Sequence, residues 1–187
     1  FYFVQLAPNG SLGQGNGTSQ AFLREAQLRT MLSVENTGMA VTLDIGSTIT
    51  NHPPEKLLIG KRLAYWALAK NYGFNSLPYS GPVYESMKVK NNKVYVNFKF
   101  AKNGVTSYGK PLSGFEIAGE DKIFYSAVAS IDPHWSAGWE NRSVLTLSNK
   151  NVPNPLYIRY GWKNYIEGAL YNVEGLPASS FRSYDFD

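Results

Sequence analysis

The sequence predicts a mixed α/β fold: a parallel-sheet region over residues 1–78, followed by a β-sandwich-like region over residues 79–187. Three observations predict it. Short apolar runs alternate with helical patterns up to about residue 85. From Tyr84 onward the apolar residues recur with a period of two. No long helical pattern follows Gly73.

Phe1–Leu6 is almost wholly apolar, as suits a strand buried on both faces. Residues 8–17 hold four glycines and read as a loop. Thr18 or Ser19 is placed to cap a helix running to about Leu32, with Phe22, Leu23, Ala26 and Leu32 toward the core. After a turn at Asn36–Gly38, Met39–Leu43 is a second apolar strand, with Asp44 at its end. Pro53 and Pro54 suit the first positions of a further helix, in which Ile59, Leu63, Trp66, Ala67 and Lys70 follow helical spacing and Gly73 is the stop. Strands alternating with helices pair in parallel, and such sheets bind ligands beyond the carboxyl ends of their strands. The loops after Leu6 and Asp44 are therefore the expected site.

Residues 75–82 carry Pro and Gly and form the expected junction. Lys93–Phe100 alternates Val94, Val96, Phe98 and Phe100 against polar neighbours, the pattern of a half-buried antiparallel strand. Phe115–Ala118, Ile123–Ala129, Val144–Leu147 and Leu156–Tyr160 are further strand candidates.

Composition excludes several classes. Apolar residues at 43% and charged residues at 17% rule out intrinsic disorder. No apolar run approaches the roughly 18 residues of a membrane helix. The absence of cysteine removes disulfides, thiolate zinc sites and a cysteine nucleophile. The net charge of +4 is dispersed: Lys88, Lys90, Lys93 and Lys99 read as one solvated strand face rather than a nucleic-acid patch. The first residue is Phe1 and the segment Phe1–Ala7 lacks the basic start and length of a signal peptide, so the chain reads as a processed or cut product.

His52, one of two histidines, lies between a strand end and a helix start. An imidazole there is placed to act as a general base; the alternative is a surface histidine bonded to a loop carbonyl. His134 sits beside Asp132, Trp135 and Trp139; the tryptophans are either a platform for a sugar ring or buried against the sheet.

The segments Phe1–Pro8, Leu23–Gln27 (LREAQ), Asn36–Ile45, His52-Pro53 and Gly60–Leu68 (GKRLAYWAL) resemble the C-terminal half of the sialate O-acetylesterases, carbohydrate esterases of the SGNH-hydrolase type. The resemblance continues in order through Tyr79–Met87, Gly114–Asp121 and Leu170–Arg182. It implies that residues 1–78 are the C-terminal part of an SGNH-hydrolase-like parallel-sheet domain and that residues 79–187 form a β-rich accessory domain. It also implies removal of acetyl groups from sialic acid or a related sugar, by a serine nucleophile and a histidine base, without metal or organic cofactor. His52 matches the family histidine in its His-Pro motif. In the LREAQ block, either Arg24 and Glu25 link helix to loop, or Arg24 or Gln27 borders the cleft.

The chain departs from the family in two ways. The Gly-Gln-Ser type motif of the nucleophile and the Gly and Asn block of the oxyanion hole have no counterpart, and neither Ser11 nor Ser47 sits in a nucleophile turn. Ile49 stands where many SGNH enzymes carry an acid. Asp44 is then the candidate orienting acid, provided the loop folds back; otherwise it caps a strand end and a carbonyl orients the imidazole. The expectation is that the serine comes from an N-terminal segment or a second polypeptide completing the same sheet, and that the isolated chain is poorly soluble or oligomeric. A secreted or periplasmic location is expected, with no nucleic-acid or membrane partner. The rival expectation is a non-catalytic carbohydrate-binding or scaffolding fragment.

Overall fold

A computed structural model of the chain describes residues 1–132 and 144–186. His134, Trp135 and Trp139 lie outside the described residues.

The first strand, β1 (Tyr2–Val4), pairs in parallel with β2 (Gly38–Ala40), in the register Tyr2↔Gly38, Phe3↔Met39 and Val4↔Ala40. These strands form a two-stranded sheet. β2 is buried throughout, as expected of a strand covered on both faces. β1 is not: Tyr2 and Phe3 are half-buried, Val4 is 39% exposed, and Phe1 just before the strand is 84% exposed.

Helix α1 (Ser19–Ser33) crosses between the two strands. It buries Ala21, Arg24, Glu25, Leu28 and Met31, while the expected core residues Phe22, Leu23, Ala26 and Leu32 are exposed. The physical reason is polar satisfaction. Arg24 and Glu25 find partners in the C-terminal segment, so the stripe through them turns inward despite its charge. Thr18 makes no side-chain cap. Asn164 caps the helix instead, its Oδ1 accepting the Gln20 N–H at 2.8 Å.

Helix α2 (Lys56–Lys70) buries Ile59, Arg62, Trp66 and Ala69; Leu63 and Ala67 are half-buried and Lys70 is exposed. It ends as its sequence suggests. Gly73 takes φ +79°, and the Phe74 N–H bonds back to the Leu68 carbonyl.

After the junction the chain is β-rich. β3 (Val83–Lys90) and β4 (Lys93–Lys99) form a hairpin through Asn91 and Asn92, both at positive φ, as a two-residue turn of this type demands. With β8 (Val128–Asp132) and β9 (Val144–Ser148) they make a four-stranded antiparallel sheet in the order β3-β4-β9-β8. A second four-stranded sheet, β12-β10-β6-β7, contains β6 (Phe115–Ala118), β7 (Tyr125–Ser126), β10 (Tyr157–Tyr160) and β12 (Phe181–Arg182). β5 (Val105–Thr106) and β11 (Tyr171–Asn172) pair separately.

Val94 and Val96 of the first sheet, Ile117 and Ile158 of the second, and Met39, Leu43 and Trp66 of the α/β region share one hydrophobic cluster. The C-terminal segment also returns to the α/β region. Backbone bonds join Asn164 to Asn9 and Gly17, Tyr165 to Gly15, and Gly168 to Leu43.

Candidate active site

The parallel pairing of β1 and β2 is resumed beyond their carboxyl ends. Asn9 bridges Ser47; the Ser47 N–H bonds the Pro8 carbonyl at 2.9 Å, and the Gly10 N–H bonds the Ser47 carbonyl at 3.0 Å. Gly46 permits this approach, since a Cβ there would strike the Pro8 carbonyl. The two loops expected to carry the site are therefore locked side by side.

Asp44 stands at the base of the second loop. Arg62 of α2 donates to its Oδ1 at 2.8 Å and to its Oδ2 at 2.6 Å, and also to the Val41 carbonyl at 2.7 Å. Both side chains are inside, 4% exposed for Arg62 and 6% for Asp44. The two carboxylate oxygens of Asp44, the candidate orienting acid, are held in a bidentate pair by Arg62, and among the described residues no hydrogen bond joins Asp44 to the His52 imidazole. Sequence reading did not find Arg62. The available signal was an arginine on the buried helix stripe between Ile59 and Trp66, a position that demands a partner.

His52 is exposed on the loop between Asp44 and α2. Its backbone N–H donates to Thr50 Oγ1 at 3.1 Å, and the Ile49 N–H donates to Ser47 Oγ at 3.2 Å. These two small turns shape the loop and set His52 at its end. Ile49 is 83% exposed. Ser47 Oγ is occupied by the Ile49 turn, and Ser11 opens a 3₁₀ helix, Ser11–Asn16; neither lies on a strand-to-helix elbow.

Arg24 and Asn164 hold the first loop from behind. The Arg24 guanidinium is fully buried and donates to Ser180 Oγ at 2.9 Å and to the carbonyls of Gly161, Lys163 and Asn164. Burial pulls it down to about 10. Asn164 then bonds Gln14, Gln20 and Ser19 through its side chain. Of the two readings for the LREAQ block, Arg24 follows the structural one, linking helix to loop.

Two hollows flank these loops. One, of 400 Å³, is lined by Asp44, Gly46, Lys110, Ser113, Tyr165 and Glu167, so the β-rich region supplies part of its wall. The other is a groove of 480 Å³ beside β1, lined by Val4, Leu6, Leu23, Gln27, Pro53 and Ile59 among others. Among the described residues no group of three His, Asp or Glu side chains is arranged to hold a metal, and no helix is long and apolar enough to cross a membrane.

Over its whole length the chain resembles a carbohydrate acetylesterase, with a TM-score of 0.84 and 34% sequence identity. That enzyme is from Xanthomonas citri, and the chain spans 41% of its length. No family model and no curated protein matches the chain.

Proposed function

We propose that this chain is the histidine-bearing part of a serine carbohydrate O-acetylesterase of SGNH type, acting on acetylated sialic acid or a related sugar. The carrying observation is the likeness, at 34% identity over the full chain, to a carbohydrate acetylesterase. The place of His52, exposed on a loop beyond the carboxyl end of β2, supports it.

In this reading a serine from an N-terminal segment or second polypeptide attacks the acetyl carbonyl while His52 takes its hydroxyl proton. The tetrahedral intermediate collapses, His52 returns that proton to the departing sugar oxygen, and the acetyl group stays on the serine. Water, deprotonated by His52, then releases acetate and restores the serine. The Asp44–Arg62 pair acts as a positioning unit, fixing the base of the His52 loop to α2 without touching the imidazole.

A second reading, a carbohydrate-binding or scaffolding fragment, is favoured by one observation: the carboxylate nearest in sequence before His52 is committed to Arg62. Acetyl release from acetylated sugars by the complete assembly separates the two readings. His52→Ala is expected to lower turnover by about 10⁴-fold with the melting curve unchanged. Near-normal turnover in that variant overturns the esterase assignment.

A further inference from the structure

The sheet β3-β4-β9-β8 has one face inside and one outside. Val94, Val96, Leu145 and Leu147 belong to the hydrophobic cluster, and Met87, Phe98, Ala129 and Ile131 pack against it. Their neighbours along each strand point the other way. The register arranges that outer face in rows. One row runs Lys88, Tyr95, Thr146, Ser130; the next, toward the hairpin turn, begins with Lys90 directly opposite Lys93.

The two ends of the face differ in charge. Away from the turn, Glu85 accepts from Asn97 Nδ2 at 3.2 Å and lies 4.0 Å from the Lys99 ammonium, so acid and base are balanced. At the turn, Lys88, Lys90 and Lys93 are exposed, and none forms an ion pair among the described residues. Paired strands stand about 4.8 Å apart and alternate residues about 6.8 Å along a strand, so three cations are rooted in one small patch. Like charges directly opposite each other destabilise a sheet. Lysine does guard sheet edges against stray pairing, and β3 is an edge strand, which accounts for Lys88 and Lys90. It does not account for Lys93, on the inner strand β4 straight across from Lys90.

The row beside these lysines suits a sugar. Tyr95 is half-buried between Lys88 and Thr146, and its hydroxyl has no hydrogen-bond partner among the described residues. Ser130 Oγ and Thr146 Oγ1 share a bond of 2.7 Å. Val128 on the same face is 72% exposed. An aromatic body and a valine meet the C–H faces of a sugar, hydroxyls meet its hydroxyls, and free ammonium groups meet carboxylates. Nucleic acid fits less well. The four strands contain no arginine, the residue that forks onto phosphate, and duplex binders neutralise about six to ten phosphates where this patch offers three cations.

We infer that the outer face of this sheet binds a glycan bearing carboxylates, such as a chain of uronic acids, with Lys88, Lys90 and Lys93 as its anchors. The choice of a glycan rests on the likeness to a carbohydrate acetylesterase. The site is separate from the catalytic reading: none of its residues lines either hollow at the two loops. It holds the chain on acidic polysaccharide independently of the ester chemistry at His52.

The test uses the complete assembly and a short oligogalacturonate as probe, read by calorimetry and by amide shifts in this chain. Binding is expected to weaken as salt rises, with shifts at Lys88, Lys90, Lys93 and Tyr95 and none at Asn51 and His52. The combined variant Lys88→Gln, Lys90→Gln and Lys93→Gln is expected to bind about tenfold more weakly, the worth of three exposed ion pairs. Its melting temperature is not lowered, and acetate release from a small acetylated sugar is unchanged. Lys90→Glu sets an acid opposite Lys93; it is expected to raise the melting temperature while weakening the glycan. Equal affinity for a neutral oligosaccharide of the same length overturns the inference, as does undiminished binding by the combined variant. Tighter binding to a DNA duplex or to phosphatidylserine vesicles than to the glycan overturns it too. Failure of the unsubstituted assembly to release acetate overturns the esterase reading instead, and the glycan titration still decides the role of this face.

Discussion

Arg62 and Asp44 form a two-pronged ion pair, 2.8 and 2.6 Å, in the interior of the α/β region. A third bond carries the same guanidinium to the Val41 carbonyl. One side chain of α2 therefore fixes the last residues of the β2 segment and the first residue of the loop that bears His52. The Arg62 Nε has no partner among the described residues, so the pair depends on its two forked contacts.

Breaking that pair leaves a buried charge uncompensated. Asp44→Ala is expected to cost about 3–5 kcal/mol in urea unfolding. Replacing both partners, Asp44→Leu with Arg62→Met, is expected to recover most of it, because the desolvation of both charges is removed together. A single substitution costing under about 1 kcal/mol would show the pair to be dispensable.

Arg24 is a buried cation whose hydrogen-bond partners are carbonyls and a hydroxyl. A lysine ammonium cannot span the same set of acceptors, being a point charge rather than a planar fork. Arg24→Lys is expected to destabilise by about 3 kcal/mol and to speed exchange at the Gly17 and Asn164 amides together. Loss of stability without faster exchange at those amides would contradict the coupling of Arg24 to the loop.

Asn164 caps α1 from a distant part of the chain. Asn164→Ala is expected to cost about 1–2 kcal/mol, the value of a lost cap, with fraying confined to the first turn of the helix. Amide exchange at Gln20 and Ala21 measures it.

Tyr160 is fully buried, and its hydroxyl accepts the N–H groups of Ala169 and Leu170. Burial raises its phenol well above the ordinary 10.0. Below pH 10 the phenol is neutral in the folded and unfolded chains alike, so its contribution is fully present. Above pH 10 the unfolded chain ionises first, and stability falls as pH rises toward the folded value. Tyr160→Phe removes this titration and orphans two N–H groups, costing about 1–3 kcal/mol at neutral pH. The gap between parent and variant is expected to narrow by about 1 kcal/mol between pH 10 and 11. A constant gap would contradict it.

Much of the β-rich region was legible in the sequence because alternation is a strong signal. Val94 and Val96 lie in β4, and the Phe115–Ala118 run is β6 as expected. Ile123–Ala129 divides into β7 and the start of β8. The two-residue strands β5, β11 and β12 carry too little pattern to be read. The buried face of α1 was illegible for another reason: Arg24 and Glu25 occupy it, and their partners Gly161, Ser180 and Arg182 are far away in sequence. At the site, the loop bearing His52 was legible from its place after an apolar strand. The partner of Asp44 was not, since only the folded chain brings Arg62 beneath it. Gln27 belonged to a recognised block, but its bonds to the β1 edge follow from the packing of α1 alone.

The central claim is that His52 activates a serine supplied from outside residues 1–187. Labelling the complete assembly with a fluorophosphonate, followed by peptide mass analysis, tests it most directly. The account predicts one modified serine outside this chain, with labelling abolished by His52→Ala and retained in Asn51→Ala. Modification of Ser11 or Ser47, or labelling that proceeds unchanged without the His52 imidazole, would contradict it.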